Sequence, residues 1–418
     1  MSHPKSVLIV GGGVIGMCTA YYALGKALRV TVVERGRPDH DCCSLGNAGF
    51  IVPSHFVPLA APGMVGLGLR MLLNPRSPFY IKPRLNLDLF RWLWLFCRSA
   101  NPGHVLRSAP LIRDLSLASR VCFEELDRIP DNDFGLTKKG LLLLCKTKHC
   151  LHEEVKTARL AEKLNLPAEV LSPSRAEQLA GIRLNIAGGV HYPLDCHLHP
   201  PRFLAAMTKQ VENLGGAISW STPVRGWKTG RNRILAVQTD RGEMSADEYV
   251  LAAGAWSPDV VRGLGFRLPI QAGKGYSITL PSPRHVPAVP LVLTEARIAV
   301  TPMGQSLRFG GTMELAGLDE SINQARAQAI IDSIPSHFPD FSPDDFRDVP
   351  VWRGLRPCSP DGLPYLGRVG RYQNLSVAAG HAMLGVSLGP ITGKLLAQVL
   401  AGENPTIAIG ALNPDRYQ

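Results

Sequence analysis

The fold is decided by residues 7–35, VLIVGGGVIGMCTAYYALGKALRVTVVER. Val7 to Val10 form a short, apolar and β-branched run that predicts a strand, and an Ala-rich segment with helical character follows. A second strand is predicted from Arg29 to Val33. The pattern G-x-G-x-x-G lies between the first strand and the helix, so the stretch predicts a βαβ unit that binds a dinucleotide.

The three glycines of this pattern have separate roles in the predicted unit. Gly11 permits the tight turn after the strand, Gly13 lets the backbone approach a pyrophosphate, and Gly16 lets the helix pack closely on the sheet. The helix N-terminus offers free N–H groups and a partial positive charge to the phosphates. Glu34, 23 residues after Gly11, stands where an acid accepts bonds from both ribose hydroxyls and repels a 2′-phosphate. The ligand is therefore predicted to be FAD or NAD rather than NADP.

The composition is that of a globular protein with two domains. The chain has 418 residues, of which 45% are hydrophobic and 19% charged, enough for two sizeable cores. Because the first predicted strand begins at residue 7, no cleavable signal peptide is expected before it. The net charge is +11, but no basic run exceeds two residues and no nucleic-acid motif occurs, so nucleic acid is not an expected partner.

Cysteines and apolar segments bear on location. The nine cysteines are scattered and lack C-x-x-C spacing, so we expect free thiols, a cytoplasmic protein and no metal site. The most apolar stretch, Leu85 to Cys97, is too short to span a bilayer and carries Asp88 and Arg91. The pattern favours a helix buried at a domain interface, and the alternative is a helix lying on the inner face of a membrane.

Six motifs, spread over nearly the whole chain, resemble those of FAD-dependent D-amino-acid dehydrogenases. They are the N-terminal βαβ unit, SLGNAGFIVP at 44–53, APG at 61–63, KGYS at 274–277, GLRPCSPDGLPYLG at 354–367 and AAGHAMLG at 378–385. This family is similar to glycine, sarcosine and D-amino-acid oxidases. The resemblance implies an α/β fold in which a Rossmann-like FAD-binding domain of the glutathione-reductase type carries a discontinuous α+β substrate domain.

The resemblance and the strand pattern together divide the chain. Residues 1–85, 188–260 and 348–418 are assigned to the FAD-binding domain, and residues 86–187 and 261–347 to the substrate domain. Cofactor and substrate are expected to meet where the two domains adjoin.

The resemblance also implies non-covalently bound FAD and its contacts. The last helix, which opens at 380–385, is expected to turn its positive end toward the flavin, an effect of about 0.3–2 kcal/mol. Relatives commonly have threonine at Cys43, so a phosphate-contacting hydroxyl is absent there. The predicted cofactor residues are Gly11, Gly13, Val14, Ile15, Gly16, Glu34, Arg35, Cys43, Ser44, Asn47, Ala48, Gly49, Val224, Ala253, Gly254, Trp256, Gly380, His381, Leu384 and Gly385.

The first substrate candidate is Arg356, which matches the family's carboxylate-binding arginine. If residues 348–356 are extended, Trp352, Gly354 and Arg356 share one face, and Gly354 leaves room for a flat ring. A guanidinium fork holds a carboxylate through two bonds and so fixes its position and rotation. The alternative for Arg356 is an ordinary surface ion pair.

Two further residues are predicted to form the pocket. In the run 273–280, alternation places Lys274, Tyr276 and Ile278 on one side, and Tyr276 becomes a pocket candidate with a core tyrosine as the alternative. His55 stands where relatives often carry a tyrosine near the pocket, and a structural histidine is the alternative.

The predicted function is oxidation of a D-amino acid to the imino acid by hydride transfer to flavin N5, with electrons passed to a quinone or an electron-transfer protein. Because the two inserts show no evident acidic cluster, the substrate is expected to be neutral or cyclic, with D-proline or a hydroxylated D-proline included. The alternatives are an oxidase of the same fold that uses oxygen, an NAD-dependent dehydrogenase, and a non-catalytic flavoprotein subunit of a larger complex.

Overall fold

The computed structural model describes residues 4–72 and 76–418. Its strands are β1 Ser6–Val10, β2 Arg29–Val33, β3 Phe50–Ile51, β4 Phe79–Ile81, β5 Leu141–Cys145, β6 Glu169–Leu171, β7 Gly188–Tyr192, β8 Cys196–His197, β9 Ala217–Ser219, β10 Val224–Thr229, β11 Ile234–Thr239, β12 Gly242–Met244, β13 Glu248–Leu251, β14 Gln271–Leu280, β15 Leu291–Leu293, β16 Ile298–Met303, β17 Ser306–Leu315, β18 Val351–Cys358, β19 Tyr365–Val369 and β20 Tyr372–Ala379. Its α-helices are α1 Val14–Leu24, α2 Met64–Leu72, α3 Leu87–Ser99, α4 Pro102–Asp127, α5 Lys148–Lys163, α6 Pro173–Ala180, α7 Pro200–Asn213, α8 Ser257–Val260, α9 Gln324–His337 and α10 Gly385–Ala401.

A six-stranded sheet carries the predicted nucleotide-binding unit. Its order is β19-β20-β13-β1-β2-β9, and β1 runs parallel to both β2 and β13. The chain passes from β1 through α1 to β2 on one side, while β13 and β20 lie on the other side. The carboxyl end of β1 is therefore a topological switch point, the place where open α/β sheets bind their ligands.

Helices α1 and α10 form the core beside this sheet through close backbone contact. A Cβ at Gly393 would lie 2.5 Å from the carbonyl oxygen of Cys18, and one at Gly389 would lie 3.1 Å from Cγ2 of Val14. Glycine at these positions therefore sets the distance between the two helices. Within the described residues, Ala382–Ala401 is the one segment long and apolar enough to cross a membrane, and 72% of it is buried inside the molecule as a core helix.

A nine-stranded sheet forms the second layer and faces the first. Its main path is β18-β14-β17-β16-β15-β5-β7-β6, and β4 pairs with β17. Strands β4, β7 and β18 belong to this sheet although the sequence assigned residues 1–85, 188–260 and 348–418 to the other domain. The predicted boundaries differ at these three strands because a strand pattern identifies a strand but not the strand it pairs with.

Helix α3 lies at the surface. Its buried residues are Leu89 and Trp92, whereas Leu87, Phe90 and Trp94 are 87%, 53% and 56% exposed. The prediction of a helix buried at a domain interface is therefore wrong for most of α3. Its outer face carries large apolar side chains that no part of the described chain covers.

Candidate functional site

A cavity of about 880 Å³ lies between the two sheets. On one side it is lined by the ends of β1, β2 and β13 and by the N-terminal residues of α1 and α10. On the other side it runs along one face of the nine-stranded sheet, from β18 through β17 to β16, β15 and β5. Residues far apart in sequence therefore form one site at the predicted switch point.

The glycine pattern takes the geometry that a dinucleotide-binding turn requires. Gly11 has φ +114°, and a Cβ there would lie 2.4 Å from the carbonyl oxygen of Ala252. A Cβ at Gly16 would lie 1.8 Å from the carbonyl oxygen of Gly11, so α1 packs directly on the turn. The nearest atom to a Cβ at Gly13 is Oγ of Ser44, at 3.6 Å, which leaves the backbone of Gly13 open to the cavity.

Two helix N-termini open into the cavity, and neither has a bond from its N-cap side chain or an acidic residue in its first turn. The N-cap residues are Gly13 for α1 and Leu384 for α10, and neither first turn contains Asp or Glu. The N–H of Val14 donates to Oγ of Ser44 at 3.2 Å. Free N–H groups and two positive helix ends make this wall suited to phosphates and to a polar ring edge.

Glu34 closes the nucleotide end of the cavity. Its two carboxylate oxygens accept the N–H groups of Gly12 and Gly36, both at 2.7 Å. These bonds fix the carboxylate and leave further lone pairs for ribose hydroxyls. Beside it, the guanidinium of Arg35 stacks on the ring of Trp256 at 3.6 Å.

His381 lines the cavity and has a buried ring nitrogen without a hydrogen-bond partner among the described residues. His381 is 2% exposed, its Nε2 is 3.0 Å from Oγ1 of Thr392, and its Nδ1 has no partner among the described residues. Burial lowers the pKa of His381 to about 3, so the ring is neutral. An orphaned nitrogen in the wall beside an uncapped helix fits a planar cofactor with polar edges, as FAD has.

The structure brings nearly all predicted cofactor residues to the cavity wall, and three do not line it. Gly16 lies under α1, as its packing role requires. A Cβ at Gly49 would lie 2.2 Å from the carbonyl oxygen of Leu198, and one at Gly380 would lie 2.8 Å from the ring of Tyr365. Gly49 and Gly380 have φ values of +75° and +80°, so they shape turns beside the cavity, and neither lines its wall.

Two cysteines in the cavity wall are protonated thiols at neutral pH. Burial raises the pKa of Cys43 and of Cys358 to about 12, so neither sulfur is a thiolate at neutral pH.

A buried arginine holds the loop at 44–49. Arg308, on β17, donates from Nη1 to the carbonyl oxygens of Leu45 and Asn47, at 2.8 and 2.7 Å. No local sequence pattern predicts this contact between the loop and the second sheet.

Arg356 lies on the cavity face of β18. Its guanidinium lies over Gly275 of the neighbouring strand, where a Cβ would be 2.1 Å from Nη1. Nη1 donates to the carbonyl oxygen of Thr312 at 2.7 Å, and Arg356 forms no ion pair with any described residue. By contrast, Arg353 pairs with Asp41. The surface ion pair is therefore the wrong alternative for Arg356, which presents free donors to the cavity.

The space above Gly354 is filled by a neighbouring side chain. A Cβ at Gly354 would lie 2.1 Å from Cη2 of Trp352, and one at Gly46 would lie 2.0 Å from Cε3 of the same indole. Nε1 of Trp352 donates to Asp41. The flat ring that Gly354 accommodates in this structure is thus the indole, which occupies the gap between β18 and the loop at 44–49.

The prediction that Tyr276 lines the pocket is wrong. On β14, Gly275 pairs with Gly354 and Tyr276 pairs with Arg353, so Tyr276 lies on the face opposite Arg356. Tyr276 is 1% exposed within the apolar core of the second sheet, and its hydroxyl donates to Oε2 of Glu314 at 2.9 Å. The alternative of a core tyrosine describes this residue.

His55 lines the cavity and belongs to a short hydrogen-bonded chain. Its Nδ1 is 3.1 Å from Oγ of Ser54, and Ser54 Oγ donates to Oδ2 of Asp195 at 2.5 Å. Burial lowers the pKa of His55 to about 4, so the ring is neutral at pH 7. Ser54 stands next to His55 in the sequence, but Asp195 is 141 residues away and could not be found from local pattern.

The cavity wall contains an acid that sequence reasoning missed. Glu154 of α5 and Arg297 of the β15–β16 turn both line the cavity. Burial raises the pKa of Glu154, while the positive charge of Arg297 acts in the opposite direction. The acid in this wall therefore already has a cation beside it.

Together these features define a dinucleotide-binding α/β protein whose cofactor cavity adjoins an arginine-bearing sheet. The sequence profile of the family described as FAD dependent oxidoreductase matches residues 6–399. The chain is 32% identical over 421 residues to a D-amino acid dehydrogenase of Bradyrhizobium diazoefficiens, with 98% of each chain covered. It is 34% identical to a D-amino acid dehydrogenase of Methylobacterium radiotolerans, and the match covers 98% of this chain and 99% of the relative.

Solved structures show the same fold at low identity. Glycine oxidase from Geobacillus kaustophilus superposes with a TM-score of 0.79 at 22% identity, and all of both chains is covered. L-proline dehydrogenase from P. horikoshii gives a TM-score of 0.75 at 15% identity, covering 100% of this chain and 98% of that one.

The chain belongs to the family of FAD-dependent oxidoreductases. The predicted α/β fold with a Rossmann-like domain, the family resemblance, the FAD cofactor and the assignment as an enzyme are confirmed. The NAD-dependent alternative is not supported.

Proposed function

We propose that this enzyme oxidises a D-amino acid to the imino acid and passes the electrons to an acceptor other than oxygen. The observation that carries the proposal is Arg356, whose guanidinium faces the cavity without an ion-pair partner among the described residues. A substrate carboxylate fits this fork, and the names of the similar dehydrogenases of 32% and 34% identity support the reaction class.

The protein groups need to do little acid–base chemistry in this proposal. FAD, when bound, supplies the acceptor for the substrate α-hydrogen and its electrons. Arg356 binds and orients the substrate carboxylate through its remaining N–H donors. The N-termini of α1 and α10 supply fixed positive partial charge at the cofactor wall, where positioning and electrostatics lower the barrier.

The side chain of the substrate is proposed to be neutral or part of a ring. The part of the cavity wall that contains Glu154 also has apolar side chains from three strands, Leu143, Val292 and Ala299. The acid there, Glu154, lies beside the positive charge of Arg297 and offers little attraction to a cationic substrate. A ring amine also has a fixed shape, which lowers the entropy lost on binding. D-Proline and a hydroxylated D-proline are thus included.

A substrate panel tests this proposal directly. We expect D-alanine, D-proline and cis-4-hydroxy-D-proline to bleach the flavin absorption under anaerobic conditions and to exceed D-arginine in kcat/KM by about tenfold or more. An artificial electron acceptor serves for turnover, and a peroxide assay under air measures oxygen use. D-Arginine as the best substrate would show that Glu154 is available to a cation and would contradict the proposed side-chain class.

Two other results of the same panel would overturn the reaction itself. Stoichiometric peroxide at a rate equal to that with the artificial acceptor would make the chain an oxidase. Bound FAD that no amine reduces would make it a non-catalytic flavoprotein subunit.

The electron acceptor is proposed to be a quinone, reached from the inner face of a membrane. On α3, Leu87, Phe90 and Trp94 form an apolar face that is exposed within residues 4–72 and 76–418. The guanidinium of Arg98 lies 4.7 Å from the centre of the Trp94 ring, which suits the boundary between lipid and anionic headgroups. Apolar residues of α2 and α3 also line the cavity. The net charge of +11 favours the same surface.

Vesicle sedimentation tests the membrane contact. We expect the holoenzyme to bind vesicles containing phosphatidylglycerol and to bind pure phosphatidylcholine vesicles about tenfold more weakly, because arginine and net charge contribute. Phe90→Ser with Trp94→Ser should lower binding by a further factor of about ten, since roughly 25 cal/mol of free energy is lost per Å² of apolar surface no longer buried. Leu235→Ser, at an exposed leucine of β11, is the control. Equal binding of the control and the double variant would refute the α3 contact.

A further inference from the structure

A hydrogen-bonded chain leads from a buried carboxylate to the cavity. Asp195 is 0% exposed, and Ser54 donates to it twice, from its N–H at 3.1 Å and from its Oγ at 2.5 Å. His55 Nδ1 is 3.1 Å from the same Oγ. Ser54 thus stands between the carboxylate and the imidazole.

The direction of these bonds fixes the tautomer of His55. A serine hydroxyl has one proton, and in this chain that proton is donated to Asp195. Ser54 Oγ must therefore accept from His55, so Nδ1 carries the ring proton and Nε2 carries a lone pair. Nε2 has no partner among the described residues, and His55 lines the cavity.

Ser54 Oγ donates its proton to Asp195 as long as the Asp195 carboxylate is ionised. Burial raises the pKa of Asp195 to about 7, whereas the two Ser54 donors and the charge of Arg120 favour the carboxylate. Tyr192 and Cys196 also lie near this carboxylate. Above this pH, His55 Nδ1–H donates to Ser54 Oγ, and Ser54 Oγ–H donates to Asp195.

We propose that His55 is a substrate-recognition residue whose Nε2 accepts a hydrogen bond from an N–H or O–H group of the substrate, and that Ser54 and Asp195 are positioning residues that hold this tautomer. The inference rests on the proposed function and deepens it. The donor is the amine, which every substrate has, or a hydroxyl on a cyclic side chain. In both cases the pocket selects a donor, because a buried acceptor left unpaired costs free energy.

Two nearly isosteric variants test the roles of the two ring nitrogens of His55 separately. His55→Asn keeps a polar atom near the position of Nδ1 and removes the Nε2 acceptor, while His55→Gln places an amide near the position of Nε2. We expect His55→Asn to lower kcat/KM roughly 10- to 100-fold, and His55→Gln to recover at least about tenfold of that loss. Equal activity of His55→Asn and wild type with both D-proline and cis-4-hydroxy-D-proline, or equal loss in both variants, would overturn the proposal. FAD content and melting temperature show that both variants fold.

Two substrates identify the donor. If the amine donates, His55→Asn lowers kcat/KM equally for D-proline and cis-4-hydroxy-D-proline. If the ring hydroxyl donates, the loss is confined to the hydroxylated substrate. If no D-amino acid reduces the wild-type flavin, the proposed function fails by itself, and titration with pyrrole-2-carboxylate, followed by flavin absorption, then tests the same contrast between the variants through the ligand N–H.

The positioning role has a spectroscopic test that needs no turnover. In ¹⁵N-histidine-labelled holoenzyme at about pH 8.5, above the raised pKa of Asp195, we expect His55 to show the Nδ1–H tautomer. The His55→Asn spectrum assigns the signal by difference. Ser54→Ala is expected to shift the population toward Nε2–H. An Nε2–H tautomer in the wild type, or an unchanged signal in Ser54→Ala, would refute the positioning role of Ser54 and Asp195.

Discussion

Replacing Arg356 with alanine is expected to lower kcat/KM for the D-amino acid substrate by roughly 100-fold or more, because a charged bidentate contact to the carboxylate is lost. Arg356→Lys should retain part of the activity, since it keeps the charge but loses the planar fork. Steady-state kinetics with an artificial acceptor measures both variants. A loss of less than about threefold in Arg356→Ala would remove this residue from carboxylate binding.

Tyr276→Phe is the matched control for this experiment. Tyr276 lies on the strand next to Arg356 but on the opposite face of the sheet, where its hydroxyl contacts Glu314 and the N–H of Asn323. We expect kcat/KM to change by less than about threefold while the free energy of unfolding falls by about 1–3 kcal/mol, because buried polar groups lose their partner.

Gly16→Ala is expected to prevent stable FAD binding and to lower the melting temperature. The new Cβ would lie 1.8 Å from the carbonyl oxygen of Gly11, and that oxygen belongs to the rigid turn between β1 and α1. Relieving such overlap requires α1 to move, at a cost of about 1–3 kcal/mol. Thermal unfolding of apoprotein and holoenzyme, with flavin content after purification, measures both effects.

Gly13→Ala separates cofactor contact from folding. Its Cβ would meet only Oγ of Ser44, at the ordinary contact distance of 3.6 Å, so the apoprotein should unfold at nearly the wild-type temperature. FAD should nevertheless bind about tenfold more weakly, since the methyl group occupies the surface open to the pyrophosphate. If Gly16→Ala retains FAD as well as Gly13→Ala does, the close contact of α1 with the turn is not required for binding.

The parts of the fold that depend on local pattern could be predicted from sequence. The βαβ unit at 7–35 has its strand, turn glycines, helix and acid within one short segment, and each occupies the predicted place. Arg356 was identified by the motif around it and by alternation along β18. These signals need no knowledge of the second sheet.

The errors concern properties set by long-range pairing. Tyr276 and Arg356 lie on neighbouring strands, and the register that pairs Gly275 with Gly354 decides which side chains share a face. A change of register by one residue would place Tyr276 on the same face as Arg356. The hydrogen bonds of Ser54 depend on Asp195, which precedes β8 and comes close to Ser54 because β8 pairs with β3. No local sequence pattern specifies either arrangement.

The contact between α1 and α10 also makes the cofactor site depend on a segment far away in sequence. Helix α1 covers residues 14–24, whereas α10, whose N-terminal residues line the same cavity, covers residues 385–401. A chain cut before β20 would keep the phosphate-binding turn but lose the close contacts of Gly389 and Gly393 with α1. Such a truncation would leave the cavity with one of its two positive helix ends.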